Sequence, residues 1–157
     1  MSLSSSCRKL DRLLATLAGW LQPLLLLVIR LYWGWEFFIT GKAHLMNLDK
    51  TTAFFTELHI PLPKLNAIIA GSTECGGGLL LLLGLGSRLV TVPLIFTMII
   101  AYVAADSEAL HAVFSDPDKF TGATPFLFLF ASVLIFVFGP GRISLDALFF
   151  KKGSGQK

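Results

Sequence analysis

Apolar positions along this chain gather into four long runs separated by short polar joints. The runs cover residues 21–41, 65–83, 89–105 and 124–138. None carries the broad polar face of a helix that packs one side against a soluble core. Each lies near the ~17–25 residues a membrane-spanning helix needs, the last being the shortest. The joint GLGSR between the second and third runs is so short that those two helices form an antiparallel hairpin. The pattern therefore predicts an all-α, integral membrane four-helix bundle.

The polar joints add detail. Leu10, Leu13, Leu14 and Leu17 recur at helical spacing beside Arg8, Lys9 and Arg12, which reads as an amphipathic helix on the inner membrane surface. Pro23 marks its join to the first span. In DKTTAFFTELHIPLPK, Asp49 can cap a short helix whose Phe54, Phe55 and Leu58 dip into the interface, and Pro61 and Pro63 end it. A further short surface helix is expected in the acidic segment DSEALHAVFSDPDKFTG. After the fourth run, GPG breaks the chain, and Ser144 can cap a last helix with a Leu145, Leu148 and Phe149 stripe. The expected organisation is an N-terminal segment over 1–20, a four-helix domain over 21–150 and a disordered tail over 151–157.

Composition agrees. Hydrophobic residues make up 54% of the 157-residue chain and charged residues only 15%, against about 25% in soluble domains. A net charge of +3, with no basic patch interleaved with aromatics, excludes nucleic acid as a partner. Most Lys and Arg (Arg8, Lys9, Arg12, Arg88, Arg142, Lys151, Lys152 and Lys157) flank one end of the spans, and Lys42, Lys50, Lys64 and Lys119 flank the other. This bias places both termini in the cytoplasm. The two cysteines, Cys7 and Cys75, make no Cys-x-x-Cys motif or disulfide framework.

Charged residues inside the spans carry the candidate chemistry. On a helical wheel, Ala67, Ala70, Gly71, Glu74 and Gly78 share an arc of about 100°. Small residues mark where membrane helices approach closely, so Glu74 points into the bundle. Gly19, Pro23, Arg30, Gly34, Phe37 and Gly41 share a face of the first run. Arg30 and Glu74 are each near the middle of antiparallel runs, so both are expected at one depth, as a pair or lining a polar cavity. An unpaired charge at the bilayer centre costs about 2.5–3.5 kcal/mol or more.

Other polar positions read differently. Glu36 lies among Tyr32, Trp33, Trp35, Phe37 and Phe38, an expected interfacial belt, and reaches outer-leaflet water or another helix. Tyr102 and Asp106, four residues apart, either share an outward cavity or form a solvated helix end. Lys42 sits at the outer end of the first run. His44, His59 and His111 lack metal-ligand spacing and read as solvated, so no metal is expected.

Several motifs together resemble one family. They are Arg30, Gly34, Gly41 and Lys42 in the first run, FFTELHIPLP in the loop, E-x-GGG followed by LLLLLGLGSR in the second run, an acidic end to the third, and FGPGRISLD after the fourth. The combination resembles the DoxX family of small bacterial and archaeal membrane proteins over residues 25–150. His59 stands where that family often has the glycine of a G-x-P turn. By position, the family-motif polar residues are Arg30, Lys42, Glu74 and Arg88, with Gly34, Gly41, Gly78, Gly139, Gly141 and Asp146 as structural motif positions.

The resemblance implies an inner-membrane protein that is an accessory subunit of a quinone-linked oxidoreductase acting on sulfur or thiols. Relatives include the membrane subunit of an archaeal thiosulfate:quinone oxidoreductase. The chain has no self-contained catalytic motif or cofactor motif, so redox centres would come from partner subunits or from quinone. Implied partners are the bilayer, soluble or membrane oxidoreductase subunits, or a second copy of the chain. The alternatives are a non-enzymatic membrane scaffold and a small transporter using Arg30 and Lys42.

Overall fold

The computed structural model describes the backbone of residues 3–150 and the side chains of residues 7–149. The expected disordered tail, 151–157, lies outside the described residues. Eight helices and no strand occur among the described residues.

The first helix, α1 (Leu3–Met46), has 44 residues and carries Pro23 inside it. At about 1.5 Å per residue it is roughly twice as long as a ~30 Å hydrocarbon layer is thick. Only the part from Pro23 onward packs in the bundle, while Leu10, Leu13, Leu14, Leu17, Trp20 and Leu21 are all exposed. The separate surface helix expected before Pro23 is instead continuous with α1. A proline ring crowds the carbonyl four residues earlier. That residue is Gly19, whose own surroundings are open.

A short helix, α2 (Leu48–Glu57), follows at once. Its N-cap is Asn47, whose side chain donates back to Ala43 O instead of capping α2, and the expected cap Asp49 sits in the first turn, where its charge still complements the helix dipole. The next turn holds His59 at φ +56° and Leu62 at φ +47°. Pro63 then opens α3 (Pro63–Leu83), which ends on Gly84 at φ +68°. After Gly86, at φ +59°, α4 (Ser87–Ala104) returns. Two short helices, α5 (Ser107–His111) and α6 (Pro117–Gly122), cross the loop where one was expected. Then come α7 (Thr124–Phe138) and α8 (Leu145–Phe150). Ser144 caps α8, its Oγ accepting from Ala147 N–H at 3.1 Å.

The helices α1, α3, α4 and α7 pack in a ring in that order. Phe37, Leu81, Leu94, Met98 and Ile135 fill its centre. Trp33 and Phe37 of α1 both meet Phe128 of α7 edge-on, at 4.9 and 4.7 Å between ring centres. The closest seam is α1 against α3. A Cβ on Gly41 would collide with Cys75 and Glu74, and one on Gly78 would lie 2.6 Å from the Gly34 carbonyl oxygen. The outer faces are leucine, phenylalanine and valine. Among the described residues, three helices are long and apolar enough to cross a membrane: the Cys7–Met46 part of α1, α3 and α4. The helix α7, also apolar, has 15 residues.

Candidate functional site

Glu74 sits midway along α3 and is buried, with 4% of its surface exposed. One of its carboxylate oxygens, Oε2, lies 3.0 Å from Nδ1 of His44 in the last turn of α1. The approach is off the hydrogen-bond axis, so neither atom has a well-aligned partner among the described residues. The His44 side chain is 37% exposed and that of Glu74 only 5%. Both side chains lean toward their own helix N-termini. In antiparallel helices these directions converge, so a histidine near the end of α1 reaches a glutamate deeper in α3. Gly41 and Gly71 line the same seam, Gly41 against Cys75 N and Glu74 Cβ of α3 and Gly71 against the Leu45 side chain. From above, Thr51 of α2 donates to the His44 carbonyl at 3.1 Å and fixes the end of α1.

Two expectations are corrected here. Arg30 does not pair with Glu74. A Cβ on Gly84 would strike the Arg30 guanidinium, so Arg30 is level with the far end of α3. Glu74 is ten positions from Gly84 (84 − 74), about 15 Å along the helix. The expectation of equal depth counted the first span from residue 21, whereas the glycine contacts set the register. His44, expected to be solvated, is half-buried and faces Glu74.

Arg30 is a clasp. It is 3% exposed, and its guanidinium donates to the carbonyls of Pro140 at 2.9 Å and Ile143 at 2.8 Å. Gly139 and Gly141, at φ +78° and +82°, shape the loop that presents those carbonyls. That loop is also held by Asp146. Its carboxylate accepts from Gly86 N–H at 2.7 Å and Ser87 N–H at 3.0 Å, capping α4, and its own N–H donates to Gly84 O at 2.9 Å. The GPGRISLD segment thus ties α1 to the α3–α4 hairpin. Arg88 reaches Val137 O, in the last turn of α7, at 3.4 Å.

The remaining positions disperse. Lys42 is exposed. Glu36 is half-buried, two residues past the Gly34–Gly78 contact and therefore near mid-height of the bundle, not at its outer end. No hydrogen bond or ion pair links it to another described residue. Tyr102 is buried, donates to Phe120 O at 2.8 Å and stacks on the Phe120 ring. It does not open on a cavity with Asp106, which instead lines a shallow loop hollow with Glu108, Asp118 and Lys119. There the exposed Lys119 ammonium, 2.9 Å from Glu108, holds that carboxyl below its usual range, and the carboxylate holds Lys119 above its own. No group of three or more potential metal ligands occurs among the described residues.

The seam does not fit a quinone ring between Arg30 and Glu74. Its glycines already touch the opposite helix. The polar edge that a head group can reach is the half-exposed imidazole of His44.

These features define a helical membrane protein with a buried acid–imidazole pair and a tied-back C-terminal loop. The DoxX family model matches residues 25–107, and the chain belongs to the DoxX family. It is 31% identical over 129 residues to Inner membrane protein YphA of Escherichia coli (strain K12), covering 82% of this chain and 92% of that protein. It is 30% identical over 125 residues to Putative oxidoreductase CatD of Bacillus subtilis (strain 168), covering 80% of this chain and 87% of that protein. No solved structure matches. Family and hydropathy together give a bacterial membrane protein.

Proposed function

We propose that this protein is a multi-pass inner-membrane subunit of a quinone-linked oxidoreductase acting on sulfur or thiol donors, in which His44 and Glu74 carry protons. All four of α1, α3, α4 and α7 cross the membrane in this reading, and both termini are cytoplasmic. A quinone, when bound, supplies the electron acceptor, and its reduction requires protons as well as electrons. This chain's part is the proton. His44 takes it from water at the outer face, where the imidazole is exposed, shares it with Glu74 across the 3.0 Å contact, and gives it up at that same exposed edge to a head group docked there. The electrons come from partner subunits.

One observation carries the reading: a carboxylate buried among glycines has a half-exposed imidazole as its route to solvent. Intramembrane ionisable groups are functional by default, and one relative carries the name Putative oxidoreductase CatD. The test is quinone reduction by the intact complex in its own membranes, comparing wild type with Glu74→Gln and His44→Gln at matched folded protein.

A second reading, a membrane scaffold, is favoured by Glu36. A half-buried carboxylate near mid-height without a partner among the described residues suits a polar group on a neighbouring membrane helix. Crosslinking from position 36 separates the two. Capture of a partner helix by a complex without quinone reduction supports the scaffold alone.

A further inference from the structure

A groove of ≈ 690 Å³ opens at the opposite end of the bundle from His44. It lies in the angle between the projecting half of α1, the start of α4 and the loop after α7. Its walls are apolar, from Pro23, Leu26, Leu89 and Phe138, and its rim carries Arg88 and Arg142. The volume is in the range of small-molecule sites. At this level α3 and α7 end and α4 begins, and only α1 continues, so the groove sits at a membrane–water boundary.

The charges are unbalanced in one direction. Asp146 also lines the groove, but both its oxygens are turned to the Gly86 and Ser87 N–H groups. Arg88 has one long contact, to Val137 O at 3.4 Å. Arg142 is exposed and has no acidic partner among the described residues. Gly139, bearing no side chain, lets the Arg88 guanidinium lie against the loop: a Cβ there would sit 3.3 Å from Arg88 Nη2. Two guanidinium groups over an apolar trough match an anionic head with a hydrocarbon tail. Arginine forks bind phosphate oxygens bidentately, and basic pockets beside transmembrane helices at the interface take phospholipid head groups.

We infer that this groove is a binding site for an anionic phospholipid, its phosphate held by Arg88 and Arg142 and an acyl chain lying along Pro23, Leu26, Leu89 and Phe138. The site is independent of the His44–Glu74 pair and of any redox role. It gives the unusually long α1 a lipid-filled junction where it leaves the bundle.

The test is lipid retention. The full chain is reconstituted in vesicles of equal parts phosphatidylglycerol and phosphatidylcholine, extracted in mild detergent, and its bound lipids are counted by native mass spectrometry. Wild type should retain phosphatidylglycerol in preference to phosphatidylcholine. Arg142→Gln, which removes no side-chain hydrogen bond or ion pair to another described residue, should fold as wild type and lower that preference about tenfold, the scale of one charge-assisted phosphate contact. Excess inorganic phosphate should not displace the lipid, because the acyl chain is also held. Equal retention of the two lipids, or an unchanged preference in Arg142→Gln, would overturn the assignment. So would saturable binding of inorganic phosphate alone that strips the lipid, since the site would then serve a free anion.

Discussion

Nδ1 of His44 lies 3.0 Å from Oε2 of Glu74, across the closest helix–helix seam in the molecule. The imidazole belongs to the exposed end of α1 and the carboxylate to the middle of α3. Their contact joins a buried charge to the surface without opening the bundle. That relationship separates Glu74 from Arg30, the other charge buried in these helices, which is bonded entirely to backbone carbonyls at the far end.

The Arg30 clasp should be structural. Replacing Arg30 with Met leaves the part-buried carbonyls of Pro140 and Ile143 without their donor, and the expected loss is about 1–3 kcal/mol. Arg30→Lys keeps the charge but cannot span carbonyls from Pro140 and Ile143 with one ammonium. It should recover less than half of that loss. Thermal unfolding in detergent measures both.

Neighbouring glycines on α3 should behave oppositely. A Cβ at Gly76 meets nothing within 4 Å, whereas one at Gly78 would lie 2.6 Å from Gly34 O and 2.9 Å from Phe38 Cα. Gly76→Ala should therefore stabilise by about 0.5–1 kcal/mol through helix propensity. Gly78→Ala should destabilise by about 1–3 kcal/mol by forcing α1 and α3 apart. Equal effects in a melting assay would mean that α1 and α3 are not in contact at Gly78.

The turn before α3 should be improvable. His59 holds φ +56°, a left-handed conformation that strains L-residues by roughly 1–2 kcal/mol. Glycine relieves that strain but loses more entropy on folding. His59→Gly should gain up to about 1 kcal/mol of stability, read as a raised melting temperature.

Much of this was legible in the sequence. The last three of the four apolar runs end within two residues of the bounds of α3, α4 and α7, because hydropathy alone marks a helix in lipid. The small-residue arc on the third helix put Glu74 in the seam, where it is. The departure at His59 pointed to the turn that now carries positive φ. Arg30 was misread because its partners are carbonyls, and backbone acceptors leave no trace in a search for opposite charges. The depth error followed from it: Pro23 marked where the bundled part begins, but nothing in the first run says that it continues to Met46. His44 was missed although a signal existed. It lies three residues after Gly41, so one more turn of the wheel places it on the face of Arg30, Gly34 and Gly41. The tie between Asp146 and the α3–α4 hairpin joins positions 60 apart, and spacing arguments do not reach that far.

The most direct test of the proton role is quinone reduction by the intact complex in native membranes, with folded protein matched by quantitative immunodetection. Glu74→Gln and His44→Gln should each slow the reaction at least about 100-fold, the lower range of general acid–base assistance. The double variant should be no slower than either alone, because the two groups form one path. Wild-type rates in both single variants, with the complex assembled, would contradict a proton path through His44 and Glu74.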